Sequence, residues 1–489
     1  MGIVFKQSLR NTLIIYIAFA IGGVNALFLY TYFLKDEYYG LVTFLLSTAN
    51  LLMPLTAFGV QYVIVKFYSS YKSKIEQDQF LSSALLLPLF IALPIGFIGT
   101  VFYEQISNYL SLKNEVVKEY TFVIYWVALF TAYFEIFYSW AKVQMQTVFG
   151  NLVKEMFSRV AATILLFLIY LKLIDKEQFI CLLTFAYFIR MLVMMSYAFY
   201  LRKPKITFEL PNNYKEIIQY SFYIILVGSA GSILLDIDKV MIPQKEAIAQ
   251  TAYYAVAVYI GSVIEAPGRA MSQIVQPITA KALNEKNYKE IYSLYKKTSI
   301  NLFLISGLVF LLVNVNIKEL YEIIPEKYAG GLWVVFMISI AKLYHMLLGN
   351  NGAIISNSKY YKILLPYALL MAVSVYFMND WLIDEIGING AAVSTLVVVL
   401  IFNSIKIWYV KKKFGLTPFS DKTWKLLIML ILFFVGFYFW EFPFHPILNI
   451  LLKSILLGSL YLIVSIKLNI APESIVVWER FKNYFLKNG

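Results

Sequence analysis

The chain has 489 residues, 60% of them apolar or aromatic, and a formal net charge of +13. A water-soluble domain that apolar would have no surface to offer its solvent, which excludes soluble enzymes and soluble binding modules. The basic excess fits a face held against anionic lipid and calls for no nucleic-acid partner, and the single cysteine, Cys181, excludes an internal disulfide framework.

Apolar runs of roughly 18 or more residues, long enough to cross a bilayer as a helix, recur from end to end. They predict an all-α polytopic membrane protein of about 14 spans. In chain order these are 11–33, 39–65, 80–102, 119–141, 155–174, 179–200 and 217–240. They continue with 248–268, 298–316, 328–349, 361–379, 388–409, 424–440 and 446–466. Lys6 and Arg10 ahead of the first run, with no small-residue cleavage site after it, read as an uncleaved signal anchor. Pro88 and Pro94 in the third span and Pro267 in the eighth should kink their helices. Gly22-Gly23, Gly228 and Gly231 mark close helix packing or hinges. The tail from Pro472 interleaves Val477, Trp478, Phe481 and Phe485 with Arg480, Lys482 and Lys487, the pattern of a short interfacial helix.

Charge fixes an expected orientation. Alternate connections carry Lys6 and Arg10, then Lys66, Lys72 and Lys74, and so on through Arg202–Lys205, Lys281–Lys297, Lys411–Lys413 and the tail, 26 basic residues in all. The intervening set, from Lys35 and Lys113 to Lys318 and Lys327, carries nine. Cytoplasmic loops hold the excess of Lys and Arg, so both termini are expected in the cytoplasm.

A shift of 215 residues lays part of the chain on itself without gaps. Tyr38-Tyr39 falls on Tyr253-Tyr254, Ser47 on Ser262, Val60-Gln61 on Val275-Gln276, and Lys66 on Lys281. Spans 2 and 8 run in the same direction. The expected organisation is therefore a six-helix lobe over 1–210, a second over 211–415, and two extra helices with the tail over 416–489. Two such bundles rocking about a central site form a transporter layout.

The stretch Phe33-Leu34-Lys-Asp-Glu-Tyr-Tyr39-Gly40-Leu41, with Ala57-Phe58-Gly59-Val60 after it, resembles the N-terminal signature of Wzx-type polysaccharide and O-antigen flippases. Asp238-Lys239-Val-Met-Ile, Tyr253-Tyr254 and Gln276-Pro277 resemble their seventh and eighth spans. These belong to the multidrug/oligosaccharidyl-lipid/polysaccharide exporter superfamily. The resemblance implies two six-helix lobes with two extra helices, a bacterial inner membrane, and a lipid-linked oligosaccharide as substrate. It further implies a role beside glycosyltransferases and a polysaccharide polymerase.

Charge inside hydrocarbon is costly, roughly 2.5–3.5 kcal/mol per group on insertion scales, so each instance needs a reason. Arg190 stands near the middle of span 6, where a guanidinium would grip phosphate oxygens through paired donors or bridge a buried carboxylate such as Glu135. Thr131, Glu135, Tyr138 and Lys142 share one face of span 4. Lys142 and Arg159 lie near the cytoplasmic ends of their spans, as substrate contacts or as snorkelling cations. Asp236 and Asp238 could bind a proton or sodium ion, or pair with Lys239. Glu265 and Arg269 stand four residues apart and should neutralise each other, while Lys342 is a substrate candidate and His345 a packing residue or proton relay.

The sequence carries no nucleotide-cradling glycine loop and no His/Cys cluster suited to a metal, so no cofactor is expected and energy would come from ion or substrate gradients. The reading that follows is a flippase moving an isoprenoid-diphosphate-linked oligosaccharide to the outer leaflet. A multidrug exporter of the same superfamily would call for acidic residues deep in the first lobe. A membrane glycan polymerase or ligase would call for a large external loop, and the longest here runs only from Tyr103 to Lys118.

Overall fold

The computed structural model describes residues 3–470, with side chains from residue 10 onward apart from Gln273. The expected interfacial tail, with Val477, Trp478, Phe481 and Phe485, lies outside the described residues, as does the Lys6 side chain. The described residues form helices joined by short turns, with no strand among them. A bilayer offers backbone amides no water, and the helix satisfies them within its own segment.

Among the described residues, eleven helices are long and apolar enough to cross a membrane. The other three expected spans coincide with helices that are interrupted or carry charge. The run 155–174 falls on a π-helical turn, Val153–Phe157, that follows Val148–Leu152, and on Ser158–Tyr170. The run 248–268 is broken by a 3₁₀ turn at Val263–Glu265, immediately before Pro267, which takes the first turn of Ala266–Asn284. That is the expected proline break, expressed as a new helix start. The third, Asp421–Tyr438, has only 18 residues and opens on Asp421, Lys422 and Lys425. Pro88 and Pro94 instead sit inside one continuous helix, Lys74–Val101.

Local sequence sets several helix starts. Ser73 accepts from the Glu76 amide at 3.2 Å while Glu76 accepts from the Ser73 amide at 3.1 Å, a reciprocal cap. Asp175 and Gln178 repeat the arrangement ahead of Lys176–Leu201.

Contacts group the chain into two compact units, Met1–Ala255 with Leu365–Ala391, and Val256–Leu364 with Ala392–Gly489. In the first, Val116–Val143 is the central helix, 67% of its apolar window buried, packed against Asp36–Thr56, Val60–Phe67 and Lys176–Leu201. Phe134, Ile136 and Trp140 are fully buried on it. Lys74–Val101, in contrast, buries only 17% of its window and shows Phe90, Leu93 and Phe97 outward, as a lipid-facing helix must. In the second unit Tyr288–Val315 is central, packed against Ala266–Asn284, Leu332–Leu347 and Asp421–Tyr438. Tyr461, from the last described helix Pro446–Lys467, donates to the Leu304 carbonyl at 2.8 Å.

Among the described residues, several contacts join connections that the charge pattern assigns to one side. In the first unit Arg202 meets Asp78 at 3.1 Å and Tyr71 meets Asn213 at 2.5 Å, all on the basic side. On the other side Lys245 bridges Asp380 at 2.8 Å and Asp384 at 2.5 Å, and Asn114 donates to the Pro243 carbonyl at 2.6 Å. In the second unit Lys318 meets Glu441 at 3.2 Å, again both on the less basic side.

The Tyr38-Tyr39-Gly40 signature has a packing reason. A Cβ on Gly40 would lie 2.0 Å from the Ile248 carbonyl oxygen, so only glycine lets the two backbones approach. Tyr39 stacks on Tyr30 at 4.6 Å between ring centres, and Tyr253 donates to Asp36 at 2.7 Å. The two signature stretches thus meet within the first unit.

Candidate functional site

Four cationic side chains and two carboxylates gather on the helices of the first unit. Glu135, on the central helix, pairs with Lys154 at 2.6 Å. Arg190, only 6% exposed, lays its guanidinium 4.0 Å from the centre of the Phe134 ring and 5.7 Å from that of Tyr187. It donates to the Lys154 carbonyl at 3.5 Å, and its Nε has no acceptor among the described residues. Lys142 stands 3.9 Å from the Tyr138 ring centre, and Lys154 lies 5.9 Å from the same ring. Arg159 pairs with Glu155 at 3.1 Å.

The expected alternative for Arg190, a bridge to Glu135, is taken by Lys154 instead. Glu135 remains within electrostatic reach of Lys142 and Arg190 as well. Its single charge is therefore shared among several cations, and the cluster keeps a positive excess in a setting where excess charge is expensive. Such a site attracts an anion, and the planar fork of Arg190 suits paired oxygens of a phosphate.

Lys154 was not legible as a site residue, because by charge pattern it belongs to a cytoplasmic connection. It lies instead in the π-helical turn Val153–Phe157. A second π turn, Asn25–Leu29, lies beside it: the Asn25 amide donates to the Arg159 carbonyl at 2.8 Å, and Thr163 donates back to Asn25 at 2.8 Å. π turns inside α-helices re-aim side chains and cluster at functional sites. Gly150, one turn ahead, is tightly required, since its Cβ would sit 2.2 Å from the Tyr138 ring.

Both aspartates of the seventh span are buried and saturated with donors. Asp236 accepts from Ser47 at 3.1 Å, Asn50 at 3.2 Å and Lys239 at 2.6 Å. Asp238 accepts from the Tyr254 hydroxyl and from Asn379 at 2.7 Å. The local pairing with Lys239 thus involves Asp236.

Lys342 lies in the second unit, with Glu265 as its partner. Arg269 joins the same carboxylate at 3.2 Å, so the expected pairing of Glu265 with Arg269 is present and has a third member. His345 lies 3.4 Å from the Asn403 amide. Sequence reasoning also missed Lys453 and Glu319, an ion pair sealed in the second unit at 1% and 4% side-chain exposure.

A family model described as polysaccharide biosynthesis protein matches residues 5–283, more than half of the chain. The chain belongs to that family. Its fold is shared with several solved transporters. A structure of the lipid II flippase MurJ, in an inward closed conformation, aligns over 94% of this chain and 99% of its own at a TM-score of 0.68 and 15% identity. An inward-facing multidrug resistance MATE family transporter of the MOP superfamily covers 85% and 95% at a TM-score of 0.55 and 13% identity. A MOP superfamily transporter from Pyrococcus furiosus, described by the reverse polarity of its binding pocket, covers 85% and 96% at 0.57 and 12%. No curated protein sequence matches the chain. At these identities the structural likeness is one of fold. The family and the all-helical multi-pass fold expected from the sequence are both borne out.

Proposed function

We propose that this member of the polysaccharide biosynthesis family is a flippase for an isoprenoid-diphosphate-linked oligosaccharide. It moves its substrate from the cytoplasmic to the outer leaflet of a bacterial inner membrane, with both termini in the cytoplasm. The observation that carries this reading is the Arg190 cluster. A buried guanidinium with an open donor stands among cations that outnumber their carboxylates, as a diphosphate requires and an organic cation would not tolerate. The family match supports glycan assembly as the setting, with glycosyltransferases and a polymerase as neighbouring activities.

In this reading the diphosphate draws Arg190 and Lys154 onto its oxygens while the Tyr138 ring keeps Lys142 alongside. Two lobes, 1–210 and 211–415, then rock to release the substrate outward. Asp236 and Asp238 are the aspartates that would take a coupling proton or sodium ion. The test is export of surface glycan at matched protein level. Arg190→Lys keeps the charge but loses the fork and should retain partial export, whereas Arg190→Ala should retain almost none. Wild-type export by Arg190→Ala would remove the residue from the mechanism.

A further inference from the structure

The second unit contains a cavity of about 240 Å³ whose wall combines Met271, Val275, Leu302 and Leu348 with the polar side chains of Ser272, Gln276, Thr298, His345, Asn350 and Lys406. At the roughly 30 Å³ of a liquid water it has room for several waters, hence for a phosphate group. Gln276 belongs to the Gln276-Pro277 signature, for which the Arg190 cluster gives no use. Lys406 sits in the helix Ile388–Phe414, one and a half turns before Lys411–Lys413, so the cavity lies toward a lysine-rich end of the unit.

The chemistry of the wall is one-sided. It offers an ammonium, an imidazole, amides and hydroxyls, and no carboxylate. The floor is preorganised: Asn350 donates to Thr279 at 2.8 Å, and its backbone amide donates to Thr298 at 3.2 Å. The turn that presents it depends on Gly349, whose φ of +54° and 2.7 Å approach to the Ser299 nitrogen admit no side chain. Gly352, also on the wall, has open space where a Cβ would stand.

We propose that this cavity is a second anion site, distinct from the Arg190 cluster, that binds a phosphate monoester with Lys406 as its principal cation. A lipid headgroup and free phosphate share that chemistry. The test uses the purified full chain, radiolabelled inorganic phosphate in equilibrium dialysis, and native mass spectrometry with phosphatidic acid against phosphatidylcholine. One phosphate or one phosphatidic acid should bind in a manner that survives Arg190→Ala. Lys406→Gln should weaken that component by about tenfold or more, and Lys406→Arg should hold it within about threefold. Gly352→Leu, which fills the cavity, should abolish it. Binding of free phosphate would identify a soluble ligand, and binding of phosphatidic acid alone a lipid headgroup; either supports the site. Binding of both probes unchanged in Lys406→Gln and Gly352→Leu, or no component that survives Arg190→Ala, would overturn it. Because that component is read in the Arg190→Ala background, its outcome is separate from that of the flippase proposal.

Discussion

Two of the charge clusters in this protein are built on opposite terms. In the second unit Lys453 meets Glu319 one to one, both almost wholly buried, with the Val315 carbonyl 3.3 Å from the ammonium. In the first unit Glu135 is shared among Lys154, Lys142 and Arg190, and the guanidinium keeps an open donor. The sealed pair neutralises itself and fastens Ile317–Ile323 to Pro446–Lys467. The open cluster tolerates an excess that would be costly to maintain without an occupant. Charge in an apolar chain is thus no sign of function by itself; the balance of partners is.

The largest effect should come from breaking the sealed pair. Lys453→Met strands a buried carboxylate and should cost about 3–5 kcal/mol, seen as loss of folded protein and a lowered Tm. Adding Glu319→Leu should restore most of that stability. If the single variant were as stable as wild type, the pair would not be the fastening described. In the open cluster the same kind of change should spare the fold. Lys154→Ala should reduce glycan export by about tenfold or more while folded yield falls only modestly, because Lys154 is 39% exposed and the Glu135 charge has other cations in reach. Equal loss of export and yield would place Lys154 with the sealed pair.

The exposed pair of Lys318 and Glu441 marks the weak end of the comparison. Its hydrogen bond to Glu441 raises the pKa of the Lys318 ammonium above the usual lysine value. A raised lysine contributes fully below its unfolded pKa, about 10.4, and loses that contribution as pH climbs through the folded value. At 42% exposure solvent screening holds the contribution below about 1 kcal/mol. Lys318→Ala should therefore shift Tm by only a degree or two near pH 7, and the difference from wild type should fade only as pH climbs past the raised lysine value.

The spans were legible because hydrocarbon selects apolar runs, and Arg190 was legible as a charge in the middle of one. The breaks were partly so: Pro267 announced the interruption before Ala266–Asn284, but nothing in Val153–Phe157 announced a π turn. Lys154 was hidden by that turn, since a lysine immediately before an apolar run reads as a loop cation. Lys453 was hidden differently. It was absorbed into an apolar average, and its partner stands in a connection 134 positions away, a distance over which only the fold supplies pairing. Gly40 was legible as a signature, while its reason, a carbonyl 2.0 Å from where a side chain would begin, required the packed backbone.

The central claim is that the cationic excess around Arg190 holds a diphosphate. The most direct measurement is equilibrium binding of a short isoprenoid diphosphate sugar to the purified protein, set against its monophosphate and alcohol counterparts. Wild type should bind the diphosphate at least about tenfold more tightly than the monophosphate and the alcohol least, and Arg190→Ala should flatten that ranking with Tm unchanged. A ranking that persists in Arg190→Ala, or a wild type that does not distinguish the three, would contradict the account.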